Sequence, residues 1–362
     1  MTAPAPAGSY EEEPTPAPRP SAAGGEPGPR PRAVLAMHRD LPARLIDAHT
    51  MARLAALTDI DPTVVLDDFT TAAARQELAG AEVIVSGWGC PPIDADTLAA
   101  APRLRAVVHA AGSVKHHITA ACWERGIEVA SVAWANALPV AEYTVAAVLG
   151  ANKRLLRIRE DYRARRAPHD WQSAYARAGN YRRTVGIVGA SLIGRRVMDL
   201  LRPYDLDLLL YDPYLEPAEA VRLGARSVPL DELCAAGDVV SVHAPELPKT
   251  RHLLDGRRLA LMRDDSTLIN TSRGSLVDQD ALTAELVSGR LNAVIDVTVP
   301  EVLPAASPLY DLPNVVLTPH IAGSLGGELH RMAAAAVDEV ALWTAGRPFA
   351  HPVAKEAISR TA

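Results

Sequence analysis

Thr184-Val185-Gly186-Ile187-Val188-Gly189-Ala190-Ser191-Leu192-Ile193-Gly194 reads as an apolar strand running through a tight glycine turn into a helix. Set against the pattern G-x-G-x-x-G, the outer glycines are Gly189 and Gly194, and Ser191 takes the middle place. A strand–turn–helix of this kind opens a doubly wound sheet and leaves a helix N-terminus free for a pyrophosphate. The middle glycine normally lets the phosphates approach the backbone, so Ser191 narrows that approach while adding a hydroxyl. Just downstream, the apolar run 206–211 ends at Asp212, followed by Pro213. An acidic side chain there accepts hydrogen bonds from the adenosine ribose and repels a 2′-phosphate, favouring NAD over NADP. Its plainer reading is a strand-end turn residue before proline.

Outward from this unit, apolar runs at 184–189, 206–211, 239–243, 267–271, 293–297 and 315–318 predict six strands, with helix-like segments at 195–201, 217–223 and 279–287. Upstream, runs at 34–37, 64–66, 82–86, 104–109 and 127–131 predict five more, around helical stretches at 41–57 and 70–79. Strands alternating with crossover helices mean parallel sheets. The predicted fold is α/β: two Rossmann-like or flavodoxin-like domains, with a doubly wound NAD-binding domain (136–325) inserted into a discontinuous substrate domain (33–135 plus 326–350). A helix is predicted after Asn136, with Pro139 in its first turn. The Arg-rich stretch 153–183 reads as a solvated helix and loop, and the Ala-rich stretch 326–343 as a helix folding back on the first domain. Residues 351–362 are left as a C-terminal tail.

Composition sets the outer limits. The 362 residues carry 43 acidic and 37 basic side chains, a formal net charge of −6, so no global positive field exists to gather nucleic acid. Only four of the basic residues are lysine (Lys115, Lys153, Lys249 and Lys355); the rest are arginine, a bias typical of GC-rich coding. Three scattered cysteines give neither a disulfide framework nor a zinc-ligand cluster, and no metal is expected. No apolar run is long enough to span a bilayer, and the N-terminus lacks a signal-peptide core. A cytoplasmic setting without membrane association is therefore expected. Residues 1–32, with nine of the 29 prolines and little to bury, read as a disordered tail.

Three later segments each place a polar residue just past a strand, where open α/β sheets bind ligands. Arg273 follows 267–271, Asp296 closes 293–295 with Glu301 shortly after, and His320 follows Thr318-Pro319. Singly, Arg273 reads as a solvated loop residue, Glu301 as a loop carboxylate and His320 as a structural histidine. Together they match the needs of 2-oxo acid reduction. A histidine titrating near neutrality supplies the proton, a carboxylate favours and orients its imidazolium, and a guanidinium grips a carboxylate in bidentate fashion.

These motifs, with the segments 239–245 and 270–274, resemble the NAD-dependent D-isomer specific 2-hydroxyacid dehydrogenase family over about residues 80–345. The resemblance implies that Arg273, Glu301 and His320 are catalytic. It implies cofactor contacts from Gly189, Ser191, Leu192, Ile193, Asp212, His243, Ala244, Pro245, Thr271, Ser272, Asp296, Ala322 and Gly323, with Asp296 accepting from the carboxamide. Backbone donors for the substrate carboxylate would come from Ala111, Gly112, Ser113 and Val114. The implied substrate is a small 2-oxo or D-2-hydroxy acid, bound in an interdomain cleft, and the implied assembly is a homodimer.

The chain also departs from the family pattern. Val114 and His116 replace a common glycine and aspartate in the substrate loop, Thr298 replaces a common aromatic, and Val302 stands where proline is usual. Trp88 and Trp134 read equally as pocket-lining or core residues. Two rival readings keep the same triad: a phosphite-type dehydrogenase, and a non-catalytic NAD(H)-sensing protein resembling the dehydrogenase-like co-repressors.

Overall fold

The computed structural model describes residues 29–358. The Pro-rich segment predicted as a tail therefore lies outside the described residues up to position 28, as do positions 359–362. Arg32, assigned to that tail, belongs to the fold. Its backbone bridges Asp59, and its guanidinium reaches Glu77 at 2.6 Å.

Two all-parallel sheets organise the described residues from Pro31 onward. The first contains β1 (Ala33–Ala36), β2 (Val65–Leu66), β3 (Val83–Ser86), β4 (Ala106–His109) and β5 (Glu128–Ser131), in the order β2-β1-β3-β4-β5. The second contains β6 (Arg183–Val188), β7 (Leu206–Tyr211), β8 (Arg226–Ser227), β9 (Val239–Val242), β10 (Thr267–Asn270), β11 (Asn292–Ile295) and β12 (Val315–Leu317). Its order is β12-β11-β10-β9-β6-β7-β8. Short, almost wholly apolar strands suit this arrangement because helices cover both faces of each sheet. In the second sheet β6 pairs with β7 on one side and β9 on the other, so the connections reverse direction there. The glycine turn leaves β6 at that switch point, where the crevice opens.

Each sheet has an apolar layer on either face. The first is covered on one side by Met332, Ala333, Ala336, Val337 and Val340 of the helix Glu328–Thr344, so the chain's last long helix returns to the first sheet. The long helix Ala133–Asn152 carries the chain between the sheets and packs Ala141 and Val148 beneath the second.

Four further details differ from the sequence reading. The connecting helix starts at Ala133, so Pro139 lies inside it rather than in its first turn. A proline there removes one backbone donor, yet its ring is buried among apolar neighbours. The stretch 41–57 is two helices, Pro42–Leu45 and Ala48–Leu57, because Asp47 caps the second by accepting the Thr50 amide at 2.7 Å. Strand β8 is unforeseen; it is a two-residue exposed edge without an apolar run. Finally, residues 351–353 are not a free tail: Pro352 bridges Ala130, and the Val353 amide donates to Val129.

Candidate active site

The glycine turn is held by backbone crowding. Gly189 has φ +103°, and a Cβ there would sit 2.9 Å from the Ala244 amide nitrogen. Only glycine fits that conformation beside the 243–245 backbone. Ser191 caps the Leu192–Leu201 helix, its hydroxyl oxygen accepting the Gly194 amide at 3.3 Å. The amides of Ser191, Leu192 and Ile193 donate to no protein acceptor among the described residues. Three free donors at the positive end of a ten-residue helix make a cradle for an anion, and they fit a dinucleotide pyrophosphate.

Asp212 sits half-buried at the end of β7, beside this cradle. One carboxylate oxygen accepts the Ala190 amide at 2.8 Å and the other the Tyr214 amide at 2.9 Å. The side chain therefore ties the glycine turn to its own strand end. His243 is enclosed: Nε2 lies 2.8 Å from Ser241 Oγ, and burial pushes its pKa down to about 3. The 243–245 segment thus offers backbone rather than imidazole to the crevice. Thr271 and Ser272 are also buried; the Ser272 hydroxyl donates to the Val242 carbonyl at 2.7 Å, and the Thr271 hydroxyl meets Thr144.

Glu301 and His320 are brought together by two loops on the same sheet edge. The imidazole Nδ1 meets Glu301 Oε1, which leaves Nε2 free, and the two side chains are 46% and 60% exposed. His320 has φ +56°, a left-handed backbone that costs a non-glycine residue about 1–2 kcal/mol. Asp296, 1% exposed, holds that bend. Its carboxylate accepts the Thr318 hydroxyl at 2.6 Å and the amides of Ile321 and Ala322 at 2.8 and 2.9 Å. Tyr143 completes the clamp, its hydroxyl lying 2.9 Å from Thr318 Oγ1. Neither Thr318 nor Tyr143 carried a signal in the sequence beyond proximity to His320 and to the connecting helix.

Arg273 caps the short turn Gly274–Leu276 after β10, its guanidinium resting 2.7 Å from the Ser272 carbonyl. A Cβ at Gly274 would lie 2.4 Å from the Thr298 carbonyl carbon, so glycine lets the Arg273 turn press against the segment that leads to Glu301. Arg273, Glu301 and His320 thus emerge from adjacent strand ends.

The first sheet supplies the opposite wall. The Ser131 hydroxyl is shared between the carbonyls of Ala111 and Gly112, at 3.1 and 2.6 Å. The amides of Ala111, Gly112, Ser113 and Val114 donate to no protein acceptor among the described residues, and Gly112 and Ser113 are the half-buried members of the four. Asn136 links the two walls: its side chain flanks Gly112, and its Oδ1 accepts the Ser324 amide at 3.0 Å beside Gly323. Behind the loop, Ser86 Oγ lies 3.0 Å from His109 Nδ1 and 3.2 Å from His117 Nε2, and both imidazoles are buried. Burial pushes the His117 pKa down to about 4 and holds His109 well below its ordinary value too. Trp134 stacks on His351 at 5.2 Å and packs into the core, whereas Trp88 stands 39% exposed at the carboxyl edge of β3.

Comparison with known proteins bears directly on this arrangement. Residues 145–322 match the model of the D-isomer specific 2-hydroxyacid dehydrogenase NAD binding domain. A D-3-phosphoglycerate dehydrogenase from Mycobacterium leprae is 33% identical over 312 residues, 85% of this chain and 58% of that enzyme. The chain spans about half the length of the curated phosphoglycerate dehydrogenases it matches. A glyoxylate/hydroxypyruvate reductase B from Pectobacterium carotovorum is also 33% identical, over 83% of this chain and 90% of its own length. Among solved structures, a protein from Thermus thermophilus superposes with a TM-score of 0.70 at 29% identity, covering 89% of this chain and all of that one.

Proposed function

The chain belongs to the D-isomer specific 2-hydroxyacid dehydrogenase family, and on that premise we propose that it interconverts a small 2-oxo acid and its D-2-hydroxy acid using NAD(H). The relatives are named for glyoxylate, hydroxypyruvate and 3-phosphoglycerate, all small acids of this class. The observation that carries the proposal is the His320–Glu301 pair, with Nδ1 engaged and Nε2 free on the edge shared with Arg273.

In this reading Arg273 and the free amides of 111–114 hold the substrate carboxylate and turn the 2-oxo group toward His320. Bound NADH supplies the hydride to the carbonyl carbon. His320 Nε2 gives its proton to the carbonyl oxygen, yielding the alcohol, and Glu301 stabilises the imidazolium beforehand and keeps the ring's orientation. In the reverse direction Nε2 takes the hydroxyl proton. Ser191, Leu192 and Ile193 hold the pyrophosphate, Asp212 the adenosine ribose, and Asp296 the carboxamide. Asp212 disfavours a 2′-phosphate, so NAD is the preferred form.

The exposed apolar side chains of the Arg-rich segment, Leu155, Tyr162 and Tyr181, support a homodimer formed through the cofactor half. A cytoplasmic setting accords with the three buried free thiols; among the described residues no helix is long and apolar enough to cross a membrane.

The test is a spectrophotometric screen of NADH oxidation against glyoxylate, pyruvate, hydroxypyruvate and larger 2-oxo acids, with phosphite plus NAD as a separate arm. Turnover of at least one 2-oxo acid is expected. NADH binding without any turnover contradicts the proposal and favours a sensing protein.

A further inference from the structure

Lysine is scarce in this chain, yet one of its four lysines, Lys115, stands on the loop proposed to hold the substrate carboxylate. It directly follows the four unpartnered amides, and its own amide reaches Ser113 Oγ at 3.4 Å. The side chain is half-buried. Its ammonium forms no hydrogen bond or ion pair with any described residue. Glu246 is the acidic group whose charge reaches it, but Glu246 accepts the Ser275 hydroxyl and makes no ion pair with Lys115. The other charge acting on it is that of Arg273. Burial first, then Arg273, lowers the lysine pKa from its ordinary value, with Glu246 opposing.

Arg273 and Lys115 carry like charges that repel one another, Glu246 offsets part of that repulsion without pairing with the lysine, and partial burial weakens the screening. A substrate with a single carboxylate satisfies Arg273 and the loop amides and leaves Lys115 without an ion-pair partner. A substrate with a second anionic group satisfies both. The ammonium is a compact point charge with rotatable donors, suited to a carboxylate or phosphate whose position varies with chain length.

Resting on the proposed 2-hydroxyacid dehydrogenase activity, we propose that Lys115 is a second anion anchor and that the preferred substrate is a small 2-oxo acid bearing a further carboxylate or phosphate. Lys115 thereby determines specificity, while the proton and hydride chemistry stays with His320 and the cofactor.

The experiment compares kcat/KM for monoanionic 2-oxo acids (glyoxylate, pyruvate) with a dicarboxylic one (2-oxoglutarate) and a phosphorylated one (3-phosphohydroxypyruvate). It uses the full chain as wild type, Lys115→Met and Lys115→Arg. The wild type is expected to favour one of the last two substrates, and which one identifies the second group. In Lys115→Met the ratio of that substrate's kcat/KM to that of pyruvate should fall about 10- to 100-fold, the worth of one charge-assisted hydrogen bond. Lys115→Arg should keep the ratio within about threefold, because the charge is retained, and this separates loss of charge from a damaged loop. A ratio unmoved by Lys115→Met, or a wild type that prefers monoanionic acids, overturns this inference and leaves the dehydrogenase reading standing. Failure to reduce any 2-oxo acid overturns both.

Discussion

Thr318 donates its hydroxyl to the buried Asp296 carboxylate at 2.6 Å, two residues before His320. Asp296 grips the chain again just past His320, through the Ile321 and Ala322 amides. The histidine is therefore the apex of a bend fastened on both sides, and its left-handed backbone is held by the clamp rather than by local preference. Removing one side of the clamp should misplace Nε2 without touching the glycine turn that holds the cofactor. Thr318→Val is expected to lower kcat about tenfold, while NADH affinity by fluorescence titration changes less than about threefold. Unchanged kcat would remove the clamp from the mechanism.

Glu301 holds the imidazole through Nδ1. In Glu301→Gln the ring loses its anionic partner at nearly unchanged side-chain size, and kcat for reduction is expected to fall about tenfold or more while NADH affinity changes less than about threefold. An unchanged kcat would detach Glu301 from the proton relay.

Asp212 has two tasks, repelling a 2′-phosphate and fastening the Ala190 and Tyr214 amides. Asp212→Ala should relax the preference for NADH over NADPH by about tenfold or more, and it should also destabilise the fold by about 1–3 kcal/mol, because two amides lose their acceptor. Paired kinetics and urea unfolding measure both. A wild type that already prefers NADPH would contradict the Asp212 reading.

His117 and His243 are buried neutral, with pKa values pushed from 6.5 down to about 4 and about 3. Between about pH 6.5 and these values the unfolded chain binds protons that the folded chain refuses. Stability contributed by these groups is thus fully present above about pH 6.5 and declines as pH falls. The urea midpoint should drop between pH 7.5 and pH 5, and His117→Asn should lessen that drop. An identical drop in the variant would show that His117 is not among the groups responsible.

Much of this was legible before any coordinates. The 184–194 run predicted a strand, a glycine turn and a helix in a doubly wound sheet because a glycine turn after an apolar strand has few alternatives, and the polar residues past β10, β11 and β12 fall where parallel sheets open. What stayed hidden has physical causes. Asp47 splits a continuous helical pattern by capping, a choice between two good helical states. Pro139 suggested a helix start because its preferred place is the first turn, but burial carried the helix past it. The roles of Thr318, Tyr143 and Asn136 depend on contacts between segments far apart in sequence, for which periodicity holds no information. The enclosed His243 shows the opposite limit, since a matching motif position does not reveal which way a side chain faces.

The most direct test of the account is turnover by His320→Ala alongside its NADH affinity. The predicted result is a loss of at least about a hundredfold in kcat for the best 2-oxo acid, with NADH bound as in the wild type. Turnover at the wild-type rate in a variant lacking the imidazole would contradict the assignment of His320 as the proton donor.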